Sequence, residues 1–363
     1  MRRRDFVGCV GVGAAALVLG RACLPEDTVD VRRRLLRSWT SELAIGDYQQ
    51  LVSASRALGA RAGELRDEGG DAELTAARQA WNVARAPLKR AELFGFGPYL
   101  EEPERFGPKL DFWPVRPDAI QAVLAGTGVL NALSARSLGA PAKGFPALEY
   151  LLWEPGVAAQ DFAGSRRGDY VVALAAELER VAQALLDAWS AGFAESISEA
   201  GESDDELYPT LPAALGAMVQ QAAVLIELIR GDKLAKPLGD SAGGVPQPEK
   251  AESQFSQRGM QDILDNLDGV RMLLFGAESP EVLGLSRYLE RLKPQLSSRL
   301  RVRFEAATAA CAEVRLPLTE AVVRAPELLR SAEKALGDLQ RMIQVDVLGA
   351  LSVSVGFSGN DGD

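Results

Sequence analysis

The sequence predicts an all-α protein of two up-and-down helical bundles, with a short strand near the C-terminus. Three observations carry that expectation. The composition is rich in Ala, Leu, Arg and Glu, with only 6% aromatic residues against 25% charged ones, a mixture that favours helices over sheets. Apolar residues recur at steps of three and four, which places them on one stripe of a helix. Glycine- and proline-rich stretches interrupt that period, and each apolar stripe needs a neighbour to cover it, so consecutive helices stack into bundles. A chain of 363 residues is long enough to bury two such cores.

Residues 1–23 read as an export signal. Arg2, Arg3 and Arg4 precede an apolar run from Phe6 to Gly20, the layout of a secretory leader, and Arg-Arg followed by Asp5 and Phe6 is similar to a twin-arginine signal. Cys23 is where a lipid would be attached, the alternative being simple cleavage nearby. The first bundle is expected over residues 29–160, with a boundary in the Gly156 to Gly168 segment, and the second over 168–363. Its stripes are Val171, Leu174, Leu178, Val181, Leu185 and Trp189, then Ile263, Leu267, Val270 and Leu274, then Leu328, Ala332, Leu336, Leu339 and Ile343. Two loops, Phe94 to Pro117 and Gly231 to Ser253, are long for bundle connections and are expected to line a site. Leu351, Val353 and Val355 alternate as a short strand would. Cys311 reads as a small buried hydrophobe.

The chain carries a formal charge of −10 and no histidine. An acidic surface repels phosphate backbones, which excludes nucleic acid as a partner. The absence of histidine removes the usual zinc ligand and the usual base of serine chemistry, and there is no Gly-x-Ser-x-Gly elbow.

What remains is carboxylates and arginine. In Gly144-Phe145-Pro146-Ala147-Leu148-Glu149, positions 146 and 149 share a helical face. Such spacing would let two ligands hold one metal, but proline supplies no donor, and in a first helical turn it keeps the helix start intact. Trp81, Arg85, Leu88 and Glu92 also share a face. Two readings stand open for it: a packed face in which Arg85 pairs with Glu92 or Glu149, or a polar pocket between the bundles. Glu252 and Ser253, just before Phe255, either cap a helix or contribute to that pocket.

These segments resemble the imelysin family. Its hallmark is Gly-x-His-x-x-Glu opening a helix, matched here by Gly144, Glu149 and "LEYLL" but not at Pro146. "AWNVARAPLKRAELFGFGP" is similar to its Trp-Arg-Glu segment through Trp81, Arg85 and Glu92. Glu252-Ser253 and the ending "LGALSVSVGFSGNDGD" are similar as well. The resemblance implies a two-bundle helical protein of the bacterial envelope, often a lipoprotein. The family was first described as metallopeptidases and also includes iron-regulated proteins and a periplasmic component of iron uptake.

The resulting expectation is a non-catalytic envelope protein on the periplasmic side, binding a small ligand or a protein partner in connection with iron acquisition. It meets the membrane only through a lipid at Cys23. The candidate ligand residues are Arg85, Glu92, Glu149, Glu252 and Ser253, and the one cofactor class they suit is iron or another oxygen-ligated cation. The alternatives are a divergent metallohydrolase with a carboxylate-only metal site, or an interaction protein whose site has decayed.

Overall fold

The computed structural model describes residues 26–351, apart from 203–206 and 278. The leader with Cys23 and the expected strand beyond Leu351 lie outside the described residues. Within them the chain is helical and forms no strand, Gly276 and Leu283 making an isolated antiparallel bridge.

α1 (Glu26–Ser38) and α2 (Gly46–Glu68) are joined by a π-helical stretch, Trp39–Ile45. α2 stops at Gly69, whose φ of 66° is left-handed and costs little without a Cβ. α3 (Asp71–Ala91) returns along α2. The loop after it carries three short helices, α4 (Phe106–Leu110), α5 (Pro117–Ala125) and α6 (Ala132–Arg136), before α7 (Gly144–Trp153). Gly144 has φ 76°, and a Cβ there would stand 2.3 Å from the Leu110 carbonyl oxygen, so this helix can begin against α4 only on glycine. Pro146 lies in the first turn, among N–H groups that have no helical partner.

α8 (Arg166–Ala188) buries Val171, Leu174, Leu178, Val181 and Leu185. It packs on α2, α6 and α7, so the first group of helices runs on past residue 168. α9 (Ala194–Ser198) lies against α1. The second group comprises α10 (Leu211–Leu228), α11 (Gly259–Phe275), α12 (Leu285–Leu292), α13 (Pro294–Glu313), α14 (Leu318–Arg324), α15 (Pro326–Arg341) and α16 (Leu348–Ala350). α13 and α15 pair along their length, and α10 and α11 pack on them. With its π-helical extension to Ala235, α10 is long and apolar enough to cross a membrane, but more than half of it is buried here as a core helix. Cys311 of α13 is fully buried, and burial pushes its thiol up to about 12.

The two groups meet along α3 and α11. Gly269 makes that approach close, since a Cβ at this position would sit 2.4 Å from the Arg90 carbonyl oxygen. The candidate site lies in this seam.

Candidate functional site

α3 and the residue just after it send three charged side chains into the seam. Arg85, Lys89 and Glu92 fall at steps of four and three, which aligns them on one face. Arg85 is 1% exposed and Lys89 is 0% exposed, so neither charge is met by water and each must find anions inside the protein.

Arg85 finds three. Its Nη1 donates to Asp111 Oδ1 at 2.7 Å, its Nη2 to Glu252 Oε1 at 3.0 Å and its Nε to Asp262 Oδ2 at 3.1 Å. The guanidinium carbon lies 5.5 Å from the Trp81 ring centre and 5.4 Å from that of Phe145, so aromatic walls fix the fork that meets the carboxylates. Lys89 Nζ donates to Glu92 Oε1 at 2.9 Å, Asp111 Oδ2 at 2.7 Å and Glu252 Oε1 at 2.5 Å. All three N–H groups of the ammonium are thus engaged.

Lys233, in the π-helical stretch Ile229–Ala235, adds a third cation. Its Nζ lies 2.7 Å from Glu92 Oε2, 2.7 Å from Asn266 Oδ1 and 3.0 Å from Glu252 Oε2. The last contact is poorly aligned, and Glu252 Oε2 is a buried acceptor with no hydrogen bond. Arg258 pairs with Asp262 and Asp265. Four cations and five carboxylates therefore form one lattice. Burial alone would raise the Glu252 carboxyl, but Lys233, Lys89 and Arg85 hold it well below the usual carboxylate range. Burial likewise opposes ionisation of Asp111, which Arg85 and Lys89 hold low, and of Glu92, which Lys233 and Lys89 hold low. Desolvation and Arg85 disfavour the Lys89 ammonium, yet Asp111, Glu252 and Glu92 keep it firmly protonated.

The five residues singled out in the sequence are distributed unevenly over this lattice. Arg85 and Glu252 are directly paired, and Glu92 joins them through Lys89 and Lys233. Arg85 makes its ion pairs with Asp111, Glu252 and Asp262, not with Glu92 or Glu149. Ser253 is not a helix cap: α11 begins only at Gly259, Ser253 has φ 50°, and its hydroxyl donates to Asp262 Oδ2 at 2.5 Å. Glu149 stands apart, its Oε1 accepting from the backbone N–H of Phe255 at 3.0 Å and from the Ser256 N–H and hydroxyl at 2.8 and 2.7 Å. Burial pushes its carboxyl up to about 7 against those hydrogen bonds and the charge of Arg85. Glu149 thereby anchors the loop that delivers Glu252 and Ser253.

Lys89, Asp111, Lys233, Arg258, Asp262, Asp265 and Asn266 are the members that sequence reasoning missed. Lys89 had a signal, being four residues after Arg85 and three before Glu92. Asp262 and Asn266 are four apart on α11 beside its apolar stripe. Asp111 lies just past the end of α4 and Lys233 in the π-helical extension of α10, neither on a periodic face that marks it.

The lattice opens on a cleft of about 350 Å³ lined by Glu92, Asp111, Lys233 and Glu252, with Tyr99, Phe112 and Trp113 on its walls and Arg105 and Asp232 also lining it. Tyr99 is 8% exposed and its hydroxyl has no hydrogen-bond partner among the described residues. The indole N–H of Trp113 is buried and unpartnered. A larger surface groove of about 660 Å³ between α13 and the end of α15, lined in part by Arg299, Val302 and Val345, has no buried charged cluster beneath it.

Two places can be tested for a metal. At the hallmark turn, Pro146 offers no donor and Glu149 Oε1 already accepts three hydrogen bonds, which leaves a single carboxylate oxygen where a zinc ion needs about three protein ligands, so these residues do not fit it. Glu92, Asp111 and Glu252 do present oxygens within 4.8 Å of one another, but the Lys89 ammonium already bonds to all three.

The family model described as Imelysin matches residues 44–344. Iron-regulated protein A of Synechococcus elongatus is 26% identical over 307 residues, which cover 83% of this chain and 80% of the relative. Among solved structures, an iron-regulated protein A precursor from Parabacteroides distasonis aligns with a TM-score of 0.74 at 18% identity, covering 89% of this chain and 94% of that one. An imelysin-like protein from Psychrobacter arcticum aligns with a TM-score of 0.75 at 17% identity, covering 91% and 98%. At those identities the structural likeness speaks to the fold.

Proposed function

We propose, for a chain that belongs to the imelysin family, the role of a non-catalytic binding component of the bacterial envelope linked to iron acquisition. Its ligand site is the cleft above the ion-pair lattice. The observation that carries this reading is the pairing of the three lattice carboxylates that line the cleft, Glu92, Asp111 and Glu252, with fixed internal cations. A catalytic metal needs protein ligands plus an open position, and a general base needs a free lone pair at neutral pH. A preorganised surface of fixed charges with two donors unpartnered among the described residues, Tyr99 and Trp113, suits binding instead. The link to iron is drawn from the name of the relative, iron-regulated protein A. The envelope location is drawn from the basic and apolar leader ahead of Cys23.

The test is metal analysis and peptide hydrolysis on purified protein, with titrations of ferric iron, calcium and zinc. No chelator-sensitive cleavage is expected, and deletion of the gene should impair growth under iron limitation. Tightly held stoichiometric zinc together with peptide cleavage would overturn the reading. Mass spectrometry of the mature N-terminus decides between a lipid on Cys23 and a free periplasmic form.

A further inference from the structure

We infer that the cleft takes a neutral polyhydroxylated ring, a pyranose sugar, with one ligand oxygen accepting from the Tyr99 hydroxyl and an apolar ring face laid on the aromatic wall. The inference rests on the reading of this cleft as a ligand site and names the class of ligand. The two long segments expected from sequence to line a site do so: Phe94 to Pro117 supplies Tyr99, Asp111, Phe112 and Trp113, and Gly231 to Ser253 supplies Lys233 and Glu252. The volume of about 350 Å³ suits a small ligand, since such sites run from roughly 300 to 1,000 Å³.

Tyr99 is the residue that points to a ligand. It is 8% exposed, and its hydroxyl has no hydrogen-bond partner among the described residues. Its ring is held against the bare backbone of Gly107 in α4, where a Cβ would stand 2.4 Å from Tyr99 Cε1. Burial, with Glu92 and Asp111 near the hydroxyl, pushes its pKa well up, so it stays protonated and able to donate. A donor left idle in so enclosed a place costs free energy, and an oxygen brought by a ligand removes that cost.

The surrounding charge selects against ions. Arg85, Lys89 and Lys233 are already paired with Glu92, Asp111 and Glu252, and Asp262 is met by Arg258. An entering ion would lose its hydration and find every opposite charge of this floor engaged. Neutral hydroxyls lose less. One that accepts from Tyr99 can donate on to Glu92 or Asp111, carboxylates that their cations hold ionised and so keep as acceptors rather than bases. Phe112 and Trp113 add flat apolar wall for the C–H face of the ring.

The experiment titrates the purified full chain with glucose, galactose and mannose, each beside its uronate and its 2-amino counterpart, by calorimetry and tryptophan fluorescence. At least one neutral sugar should saturate a single site below about 10 mM, with its charged counterparts at least about tenfold weaker. Tyr99→Phe should weaken that binding about tenfold without lowering the thermal midpoint of the free protein, because the hydroxyl bonds to nothing there. No saturable binding of the three sugars, equal binding of charged and neutral members, or an unchanged affinity in Tyr99→Phe overturns the inference. So does a lower midpoint in free Tyr99→Phe, which would reveal an internal partner for the hydroxyl. Each of these results leaves the non-catalytic reading standing, because that depends on the behaviour of wild type with zinc and peptides.

Discussion

Asn266 of α11 donates through Nδ2 to the main-chain carbonyl of Lys89 in α3, at 2.6 Å. The Lys89 carbonyl lies in the last turn of α3, where helical acceptors lose their intrahelical donors. The same amide donates to Glu92 Oε2 at 2.6 Å, and its oxygen accepts from Lys233 at 2.7 Å. One uncharged side chain thus closes the end of α3, orients the anion and orients the cation. Asn266→Leu has similar volume but satisfies none of these groups. It should destabilise the fold by about 1–3 kcal/mol, read as a lower urea midpoint at an unchanged slope.

Arg85 tests the lattice as a whole. Its removal leaves Asp111, Glu252 and Asp262 short of a cation in a region that water does not reach. Breaking a buried ion pair from one side costs about 3–5 kcal/mol, so Arg85→Met should lose roughly that much at pH 7. The depressed carboxyls of Asp111 and Glu252 fix the sign of the pH dependence. Their contribution is full above the ordinary carboxylate range and is lost as pH falls through their folded values. The deficit of Arg85→Met relative to wild type should therefore narrow on acidification below pH 4, measured by denaturant titration at each pH.

These two residues also mark how far sequence reasoning reaches. The stripes Val171 to Leu185 and Ile263 to Leu274 were readable because a helix core repeats along the chain, and both are buried in the structure. Arg85, Glu92 and Glu252 were readable through the motifs around them. Lys89 was passed over because lysine is almost always solvated, although its spacing from Arg85 was on display. The pairing of α3 with α11 joins residues 177 apart, and no local period encodes such a partner. Ser253 misled for a related reason: a serine ahead of an apolar run suits an N-cap, but here the chain first makes a turn with φ 50° at Ser253 and 60° at Gln257.

Glu149 gives a prediction in a different pH window. Burial raises its carboxyl from 4.5 to about 7. A group raised on folding contributes stability that is full below its unfolded value and is lost as pH rises through the folded one. Wild type should therefore lose stability between about pH 4.5 and 7, by on the order of 1–3 kcal/mol from this group. Asp47, raised by burial to about 6 against the charge of Arg90, acts with the same sign. Glu149→Gln keeps an oxygen for the Phe255 and Ser256 donors and cannot ionise, so its thermal midpoint should vary less from pH 5 to pH 8. An equally steep profile in Glu149→Gln and in Asp47→Asn would refute the assignment.

Pro146→His would restore the residue that the family hallmark carries, and it should not restore a zinc enzyme. Positions 146 and 149 lie on one face of α7, but Glu149 Oε1 is engaged by three donors of the Phe255–Ser256 loop. A single histidine with one engaged carboxylate falls short of the three protein ligands that a catalytic zinc needs. Drawing Glu149 away would also free the loop that positions Glu252 against Arg85 and Lys89. The expected result is a folded protein with no zinc-dependent peptide cleavage. Its thermal midpoint should stay unchanged as zinc is added, since binding that must first draw Glu149 away from its loop is too weak to stabilise the native state. A rise in midpoint with zinc, accompanied by chelator-sensitive cleavage, would mean that the loop releases Glu149 at little cost.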